Sequence, residues 1–139
     1  MNIRAFSESD RDSVIALWQA CELTRPWNDP NKDIDRKQQF QAELFFVGEI
    51  DSRVMASAMA GYDGHRGSVF YLAVHPDFQG LKYGLQIMQH IEQVLEGLGC
   101  PKINIAFRTG NEAVLNFYNK LGYTLDDVSS LGKRLIPDH

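Results

Sequence analysis

The sequence has little of what marks several common protein classes. Only two of its 139 residues are cysteine and four are histidine, and neither set shows a disulfide framework or the spacing of metal ligands. No apolar run approaches the roughly 20 residues of a transmembrane helix, and polar residues 1–6 do not resemble a signal peptide. The 14 basic and 18 acidic residues give a net charge of −4, which disfavours nucleic-acid binding. We therefore expect a cytoplasmic protein with no metal, no membrane association and no nucleic-acid partner.

What is present is the composition of an ordinary folded domain. Hydrophobic residues make up 44% of the chain and charged residues 23%, which argues against disorder. A chain of this length is sufficient for one hydrophobic core and short for two. The sequence contains no internal repeat, low-complexity tract or flexible linker. We therefore expect one domain covering residues 1–139.

Hydrophobic periodicity and turn residues predict the element order β-α-α-β-β-β-α-β-α-β-β. The predicted strands cover residues 2–5, 44–50, 53–62, 68–74 and 102–107, and two more short strands follow as far as Leu135. The predicted helices are a first one capped by Ser9, with Asp12 in its first turn, and then residues 33–42, 83–98 and 112–121. The antiparallel strands precede a strand–helix–strand unit, which favours parallel pairing. The pattern predicts a mixed sheet covered by helices.

The most informative segment joins the fourth predicted strand to the long helix. Residues 74–85 read Val-His-Pro-Asp-Phe-Gln-Gly-Leu-Lys-Tyr-Gly-Leu. Free amides and the positive dipole end make a helix start an anion site, and Gly80 and Gly84 would let a phosphate approach the backbone. The alternative is an ordinary strand-to-helix turn whose glycines only sharpen the bend. The segment is neither a Walker A loop nor a dinucleotide fingerprint, because its glycine spacing fits neither.

A second segment, one predicted strand further on, contains Asn111, Phe117-Tyr118 and Leu121-Gly122-Tyr123. Together the two segments resemble the GNAT N-acetyltransferase superfamily. Residues 25–30, 61–67 and 130–136 resemble, more narrowly, its small bacterial YpeA-type branch. The resemblance implies an α+β fold whose mixed, mostly antiparallel sheet is flanked by about four helices. It also implies an acetyl-CoA-dependent N-acetyltransferase, in which a primary amine attacks the thioester directly.

The resemblance further implies a coenzyme site, because the family's loop pattern Arg/Gln-x-x-Gly-x-Gly/Ala corresponds here to residues 79–84. In the family this loop binds the pyrophosphate through backbone amides, and the preceding strand pairs with pantetheine through main-chain groups. The implied cofactor-binding residues are Leu72, Val74, Gln79, Gly80, Leu81, Lys82, Tyr83, Gly84, Leu85 and Asn111. Asn111 is equally a predicted N-cap of the helix that follows it.

Lys82 departs from the family pattern, which usually has glycine at this position. Lysine is a good helix former and the position opens a helix, so we expect ordinary helical φ and ψ there. A positive φ would instead strain the residue.

Tyr118 matches the family's usual general acid, which protonates the departing thiolate. Its helical spacing from Val114 and Leu121 would also suit a core aromatic residue. The general base stays unassigned. Many relatives have a carboxylate on the strand before the loop, and residues 68–74 contain none. Glu49, Asp63 and His65 are alternatives, and each also suits an exposed position or a turn.

Acceptor binding is the least determined part of the sequence. Relatives often shape this site with residues that correspond to Trp27, Asn28 and Asp29, although a structural turn fits equally well. Asp63 and His65 are further candidates for substrate contact. The acceptor would be the amine of a small molecule, a peptide or a protein, and an exposed strand edge near the C-terminus suggests a homodimer. The missing carboxylate and Lys82 also allow a non-catalytic acyl-CoA sensor or interaction module with the same fold.

Overall fold

A computed structural model of the chain describes residues 1–138. Its strands are β1 Asn2–Ala5, β2 Phe45–Ile50, β3 Arg53–Tyr62, β4 Gly67–Val74 and β5 Ile103–Asn104. Its α-helices are α1 Arg11–Ala20, α2 Pro30–Lys37, α3 Tyr83–Gly97 and α4 Glu112–Lys120. The strands form one sheet in the order β1-β2-β3-β4-β5. Every neighbouring pair is antiparallel except β4 and β5, which are parallel. The predicted mixed, mostly antiparallel α+β fold is confirmed.

The hairpin of β2 and β3 forms the centre of the sheet. Asp51 and Ser52 connect the two strands, and both have positive φ values, 52° and 63°. This backbone is that of a type I′ turn, whose twist matches the twist of the strands it joins. The predicted two-residue turn and the predicted bounds of β3 are therefore both confirmed.

Helices cover both faces of the sheet, so the apolar residues form two clusters. One cluster joins the sheet to α3 and α4 and includes Phe46, Ala58, Ile87, Met88 and Tyr118. The other joins it to α1 and α2 and includes Val14, Trp18, Ile34, Phe45 and Val47. The alternation of side chains along β2 explains this division, since successive residues point to opposite faces. No helix within residues 1–138 is long and apolar enough to cross a membrane.

Two helix starts differ from the predictions. Ser9 is not the cap that precedes α1. A 3₁₀ turn begins after Ser7, and the carboxylate of Asp10 accepts the Ser7 amide at 2.9 Å. The second helix was predicted at residues 33–42 but runs from Pro30 to Lys37, because proline suits the first helical position and Asp29 accepts the Asn31 amide as its cap.

The last part of the described chain lacks the two predicted strands. Residues 124–138 contain no strand, and β5 has only two residues instead of the predicted 102–107. Local alternation of apolar residues suggested strands there, but pairing also needs a neighbouring edge at the right distance. Instead, the segment is attached at its end. Asp138 is 8% exposed, and its carboxylate accepts hydrogen bonds from Arg36 at 2.7 Å and from the Asp29 amide at 2.8 Å.

This attachment predicts an acid-sensitive contribution to stability. The hydrogen bond from Arg36, followed by that from the Asp29 amide, lowers the pKa of Asp138 to about 2. An unfolded-state aspartate titrates near ~3.9, so the stabilisation is present above about pH 4 and is lost as the pH falls towards 2. We expect Asp138→Asn to lower the melting temperature by several degrees at pH 7 and to differ little from wild type near pH 2. Thermal melts across this range measure the difference.

Asp127→Asn is the matched control, because Asp127 is an exposed residue of the same segment. We expect it to melt as wild type does throughout. A constant difference between Asp138→Asn and wild type from pH 7 to pH 2 would contradict the assigned role of the carboxylate.

Candidate functional site

The parallel strands β4 and β5 separate almost as soon as they pair. Only Gly67 with Ile103 and Ser68 with Asn104 are in register. From residue 69 to residue 74, β4 has a strand partner only on its β3 side within the described chain. We call the other side of residues 69–74 the open edge of β4. Unpaired edge groups are a template for an extended ligand.

The alternation of β4 shows which main-chain groups face this open edge. Ala73 is opposite Ser57 on β3, and the His75 amide donates to the carbonyl of Met55. Alternate residues of a strand direct their main-chain groups to opposite sides. Leu72 and Val74 therefore present theirs to the open edge, where the sequence predicted contacts with a pantetheine arm. The Val74 carbonyl already accepts hydrogen bonds from Gln79 Nε2 at 2.9 Å and Cys21 Sγ at 3.2 Å.

A β-bulge interrupts β4 at Tyr71, and a bulge bends the strand that contains it. Ser57 and Met59 on β3 are opposite Ala73 and Phe70, so two β4 residues lie opposite the single residue between them. Tyr71 has φ 54°, in the left-handed region that costs a non-glycine residue about 1–3 kcal/mol.

Buried contacts hold the bulge in place. The Trp18 ring stacks on the Tyr71 ring with centroids 3.8 Å apart. Ser57, 0% exposed, accepts a hydrogen bond from Trp18 Nε1 and donates one to the Tyr71 carbonyl, both at 2.9 Å. Because these contacts fix both its ring and its carbonyl, Tyr71 keeps its strained backbone.

The helix that follows β4 starts with free amides. Lys82 is its N-cap residue but forms no side-chain cap, and the first turn of α3 contains no acidic residue. The first helical bond beyond the cap runs from Gln86 to the Lys82 carbonyl, so the amides of Tyr83, Gly84 and Leu85 lack helical acceptors. An uncapped helix start without a nearby carboxylate favours an anion.

The conformation predicted for Lys82 is wrong. Its φ is 69° and its ψ is 18°, which is left-handed rather than helical. The helix starts only at the next residue, so helix propensity does not act at this position. The family's usual glycine would adopt this conformation without strain.

Gly84 serves a packing contact as well. A Cβ there would lie 3.2 Å from Phe117 Cζ, so glycine lets α3 approach α4.

The open edge, the start of α3 and the start of α4 border one cleft with a volume of about 2530 Å³. Among its lining are these predicted site residues: Leu72, Val74, Gln79, Gly80, Lys82, Tyr83, Gly84, Leu85, Asn111 and Tyr118. Leu81 is outside the lining and is 56% exposed. Asn111 caps α4 by accepting the Val114 amide at 3.3 Å, as predicted. The structure thus brings nearly the whole predicted coenzyme site together.

Tyr118 lies on α4 and is 7% exposed. Its ring makes edge contacts with Phe117 and Tyr123. Burial raises the pKa of its phenol to about 12, so the group is protonated at neutral pH and is available as a hydrogen-bond donor. The residue is therefore both a core aromatic and part of the cleft lining.

The candidates for the general base, Glu49, Asp63 and His65, lie outside the cleft lining. Asp63 accepts the amides of His65 and Arg66, both at 2.8 Å, which lowers the pKa of its carboxyl. Glu49 pairs with Arg4 across β1 and β2.

Of the three predicted acceptor residues before α2, one borders the cleft and two do not. Trp27 lies against the Arg108 guanidinium at 5.6 Å, and Asp29 caps α2. Neither of these two borders the cleft, whereas Asn28 does.

A pair of lining residues was missed by the sequence reasoning. Tyr71 donates a hydrogen bond to Asp33 Oδ2 at 2.6 Å, and both side chains border the cleft. Burial first, and then the hydrogen bond to Asp33, raises the pKa of the Tyr71 phenol. The two residues are 38 positions apart and no motif connects them, so no local pattern could indicate the pair. Within residues 1–138, no group of three or more His, Cys, Asp or Glu side chains could bind a metal ion.

Comparison with known proteins identifies the family. Residues 12–123 match the acetyltransferase (GNAT) family. The chain is 50% identical over 138 residues to an acetyltransferase of Yersinia enterocolitica, covering 99% of this chain and 98% of that relative. It is 48% identical over 138 residues, with the same coverage, to an acetyltransferase of Pectobacterium atrosepticum. The chain belongs to the GNAT acetyltransferase family, and the resemblance of its sequence to the GNAT superfamily is confirmed.

Solved structures agree on the fold. Ard1 from Thermoplasma volcanium has a TM-score of 0.81 at 22% identity, over 90% of this chain and 83% of that one. The PaiA N-acetyltransferase from Thermoplasma acidophilum, solved in complex with coenzyme A, has a TM-score of 0.73 at 16% identity, over 92% of each chain. Identities this low extend the likeness to the fold only.

The left-handed backbone of Lys82 leads to a stability prediction. A non-glycine residue in this conformation costs about 1–2 kcal/mol of folding free energy. Glycine avoids this cost, but its greater conformational entropy in the unfolded chain offsets part of the gain. We expect Lys82→Gly to stabilise the fold by about 0.5–1 kcal/mol in denaturant unfolding. Lys82→Ala, which removes the same charge but keeps a Cβ, should give no gain. A loss of stability in Lys82→Gly would show that the lysine side chain itself stabilises the loop.

Proposed function

We propose that this protein is an acetyl-CoA-dependent N-acetyltransferase that acetylates a primary amine by direct attack in a ternary complex. The observation that carries the proposal is the continuity of two binding features along β4 and α3. An open strand edge at Leu72 and Val74 leads, within one short loop, to the uncapped amides of residues 83–85. Pantetheine has amides that can pair with a strand edge, and the pyrophosphate is the anion that a helix start favours.

The charge of the cleft supports this placement. Lys82 borders the cleft at the start of α3, so the whole-chain charge of −4 does not describe this end of the site. On binding, the pantetheine amide would replace the Gln79 side chain on the Val74 carbonyl, because both need the same acceptor. Gln79 thus keeps a main-chain group paired until the coenzyme arrives.

The reaction needs a nucleophile, a polarised carbonyl and a stabilised leaving group. The amine nitrogen attacks the thioester carbon, the C–N bond forms, and the C–S bond breaks. Tyr118 donates its phenolic hydrogen to the leaving sulfur in this proposal. A phenol with a pKa of about 12 is a weaker acid than a thiol near ~8.5, so its main effect is a hydrogen bond that strengthens as charge develops on sulfur. Holding the two substrates together supplies much of the remaining acceleration.

A Tyr118→Phe variant tests this role. We expect kcat to fall about 100-fold, a typical loss for a general acid, while the KM for acetyl-CoA changes less than about twofold. The phenyl ring keeps the packing of α4, so the fold should persist. Steady-state release of free thiol with a primary-amine acceptor measures the effect.

Tyr123→Phe is the matched control. It removes the same group from a residue outside the cleft lining, where the hydroxyl donates to Glu92 at 2.9 Å. Its kcat should remain within about twofold of wild type. Equal rates for Tyr118→Phe and wild type would remove Tyr118 from the chemistry. Wild type that binds acetyl-CoA but acetylates no amine would support the non-catalytic alternative.

A further inference from the structure

We infer that Asp33, held in place by Tyr71, forms the acceptor site. Its carboxylate binds the ammonium group of a primary alkyl amine and takes one proton from that group before attack. This inference rests on the proposed N-acetyltransferase function. It supplies the carboxylate that β4 lacks from a different element, the first turns of α2.

The path of β4 places this pair at the acyl end of the coenzyme site. A coenzyme whose pyrophosphate lies at the start of α3 would run back along the open edge past Val74 and then Leu72. The next residue in that direction is Tyr71, at the bulge where β4 turns. Its hydroxyl donates to Asp33 at 2.6 Å, so the carboxylate is located beyond the end of the arm. That is where the thioester must meet the acceptor.

The position of the carboxylate is well defined. The Tyr71 ring is stacked on buried Trp18, and the Tyr71 carbonyl is hydrogen bonded by Ser57. Asp33 is on the helix that packs Ile34, 0% exposed, into the core beside Trp18. Neither partner of the 2.6 Å bond is on a free loop. Such fixed geometry is what a site for proton transfer requires.

The negative charge of Asp33 is available to a ligand, although a cation is near. The Arg36 guanidinium approaches Asp33 Oδ1 only at 3.4 Å, whereas it binds the Asp138 carboxylate at 2.7 Å. Arg36 thus donates to both carboxylates and makes its shorter bond to Asp138, and the nearby Lys37 donates to the Ala60 carbonyl. Asp33 is partly accessible, with 22% of its side chain exposed. A partly accessible carboxylate can accept a further, charge-assisted hydrogen bond from an ammonium group.

The surroundings favour an amine attached to an apolar group. Phe40 and Phe70 border the same cleft and are 73% and 55% exposed. Exposed aromatic rings in the same cleft as a carboxylate suit a cation with an apolar body. Phenethylamine is therefore a suitable probe, because it combines an aromatic ring with an amine that is protonated at neutral pH.

The proposed step balances as follows. The ammonium group gives one proton to the Asp33 carboxylate, and the freed lone pair forms the C–N bond. The C–S bond breaks, its electron pair goes to sulfur, and Tyr118 stabilises the thiolate by a hydrogen bond until a proton from solvent gives free coenzyme A. The second proton leaves nitrogen for solvent as the amide forms, and Asp33 later releases its proton to solvent. No oxidant or further reactant is needed.

Steady-state kinetics with two amines tests the site. Phenethylamine is charged near pH 7.5, whereas aniline is neutral and needs neither charge recognition nor proton removal before attack. We expect Asp33→Asn to lower kcat/KM for phenethylamine at least about 30-fold and for aniline less than about threefold. The KM for acetyl-CoA should stay within about twofold of wild type. Tyr71→Phe, which keeps the stacked ring, should lower kcat/KM for phenethylamine about fivefold by releasing Asp33.

Asp35→Asn is the matched control on the same helix. Asp35 pairs with Arg11, is 63% exposed and does not border the cleft, so its kinetics should equal those of wild type. Equal losses on both amines in Asp33→Asn, or no loss on either, would overturn the inference. So would a wild-type enzyme that acetylates aniline but not phenethylamine. A wild type that transfers acetyl to no amine and shows no saturation by acetyl-CoA would instead refute the proposed function itself.

Discussion

The bulge at Tyr71 is the constraint on which the site depends. A bulge bends its strand and increases the local twist, which works against continued pairing with a neighbouring strand. Strands β4 and β5 share two residue pairs and then separate. The left-handed Tyr71 is unfavourable by itself, and it persists because Trp18 stacks on its ring and Ser57 binds its carbonyl. The packing of α1 against the bulge thus stabilises the open edge of β4.

The start of α3 gives the cleft a positively charged region. The start of α3 combines free amides, a helix dipole and Lys82, and it has no acidic residue in its first turn. Asp33 borders the cleft together with the basic residues Arg36 and Lys37 of the same helix, and Arg36 also binds Asp138. The start of α3 therefore favours an anionic coenzyme, whereas on α2 the carboxylate of Asp33 is the group that can attract a cationic amine. The buried Asp138 carboxylate affects this arrangement from outside the cleft, because it fixes the charge partner of Arg36.

The sequence predicted features that local chemistry determines and missed those that depend on distant contacts. The bounds of β3 and the capping role of Asn111 were correct, because alternation, turn residues and caps are local signals. Lys82 was assigned to the wrong backbone region because its conformation depends on how the loop joins β4 to α3. The pair of Asp33 and Tyr71 required the packing of α2 against the bulge. No residue pattern reports that contact.

The central claim is that one continuous surface, the β4 edge and the start of α3, binds the coenzyme. Calorimetric titration of the purified protein with acetyl-CoA, coenzyme A and ADP tests it most directly. ADP presents the pyrophosphate without the pantetheine arm, so it can use the helix start but not the strand edge. The account predicts saturable binding of acetyl-CoA and coenzyme A, with ADP at least about tenfold weaker, or about 1.4 kcal/mol. Equal affinity for ADP and coenzyme A would contradict the role of the β4 edge, and no binding of any of the three near 1 mM would contradict the site as a whole.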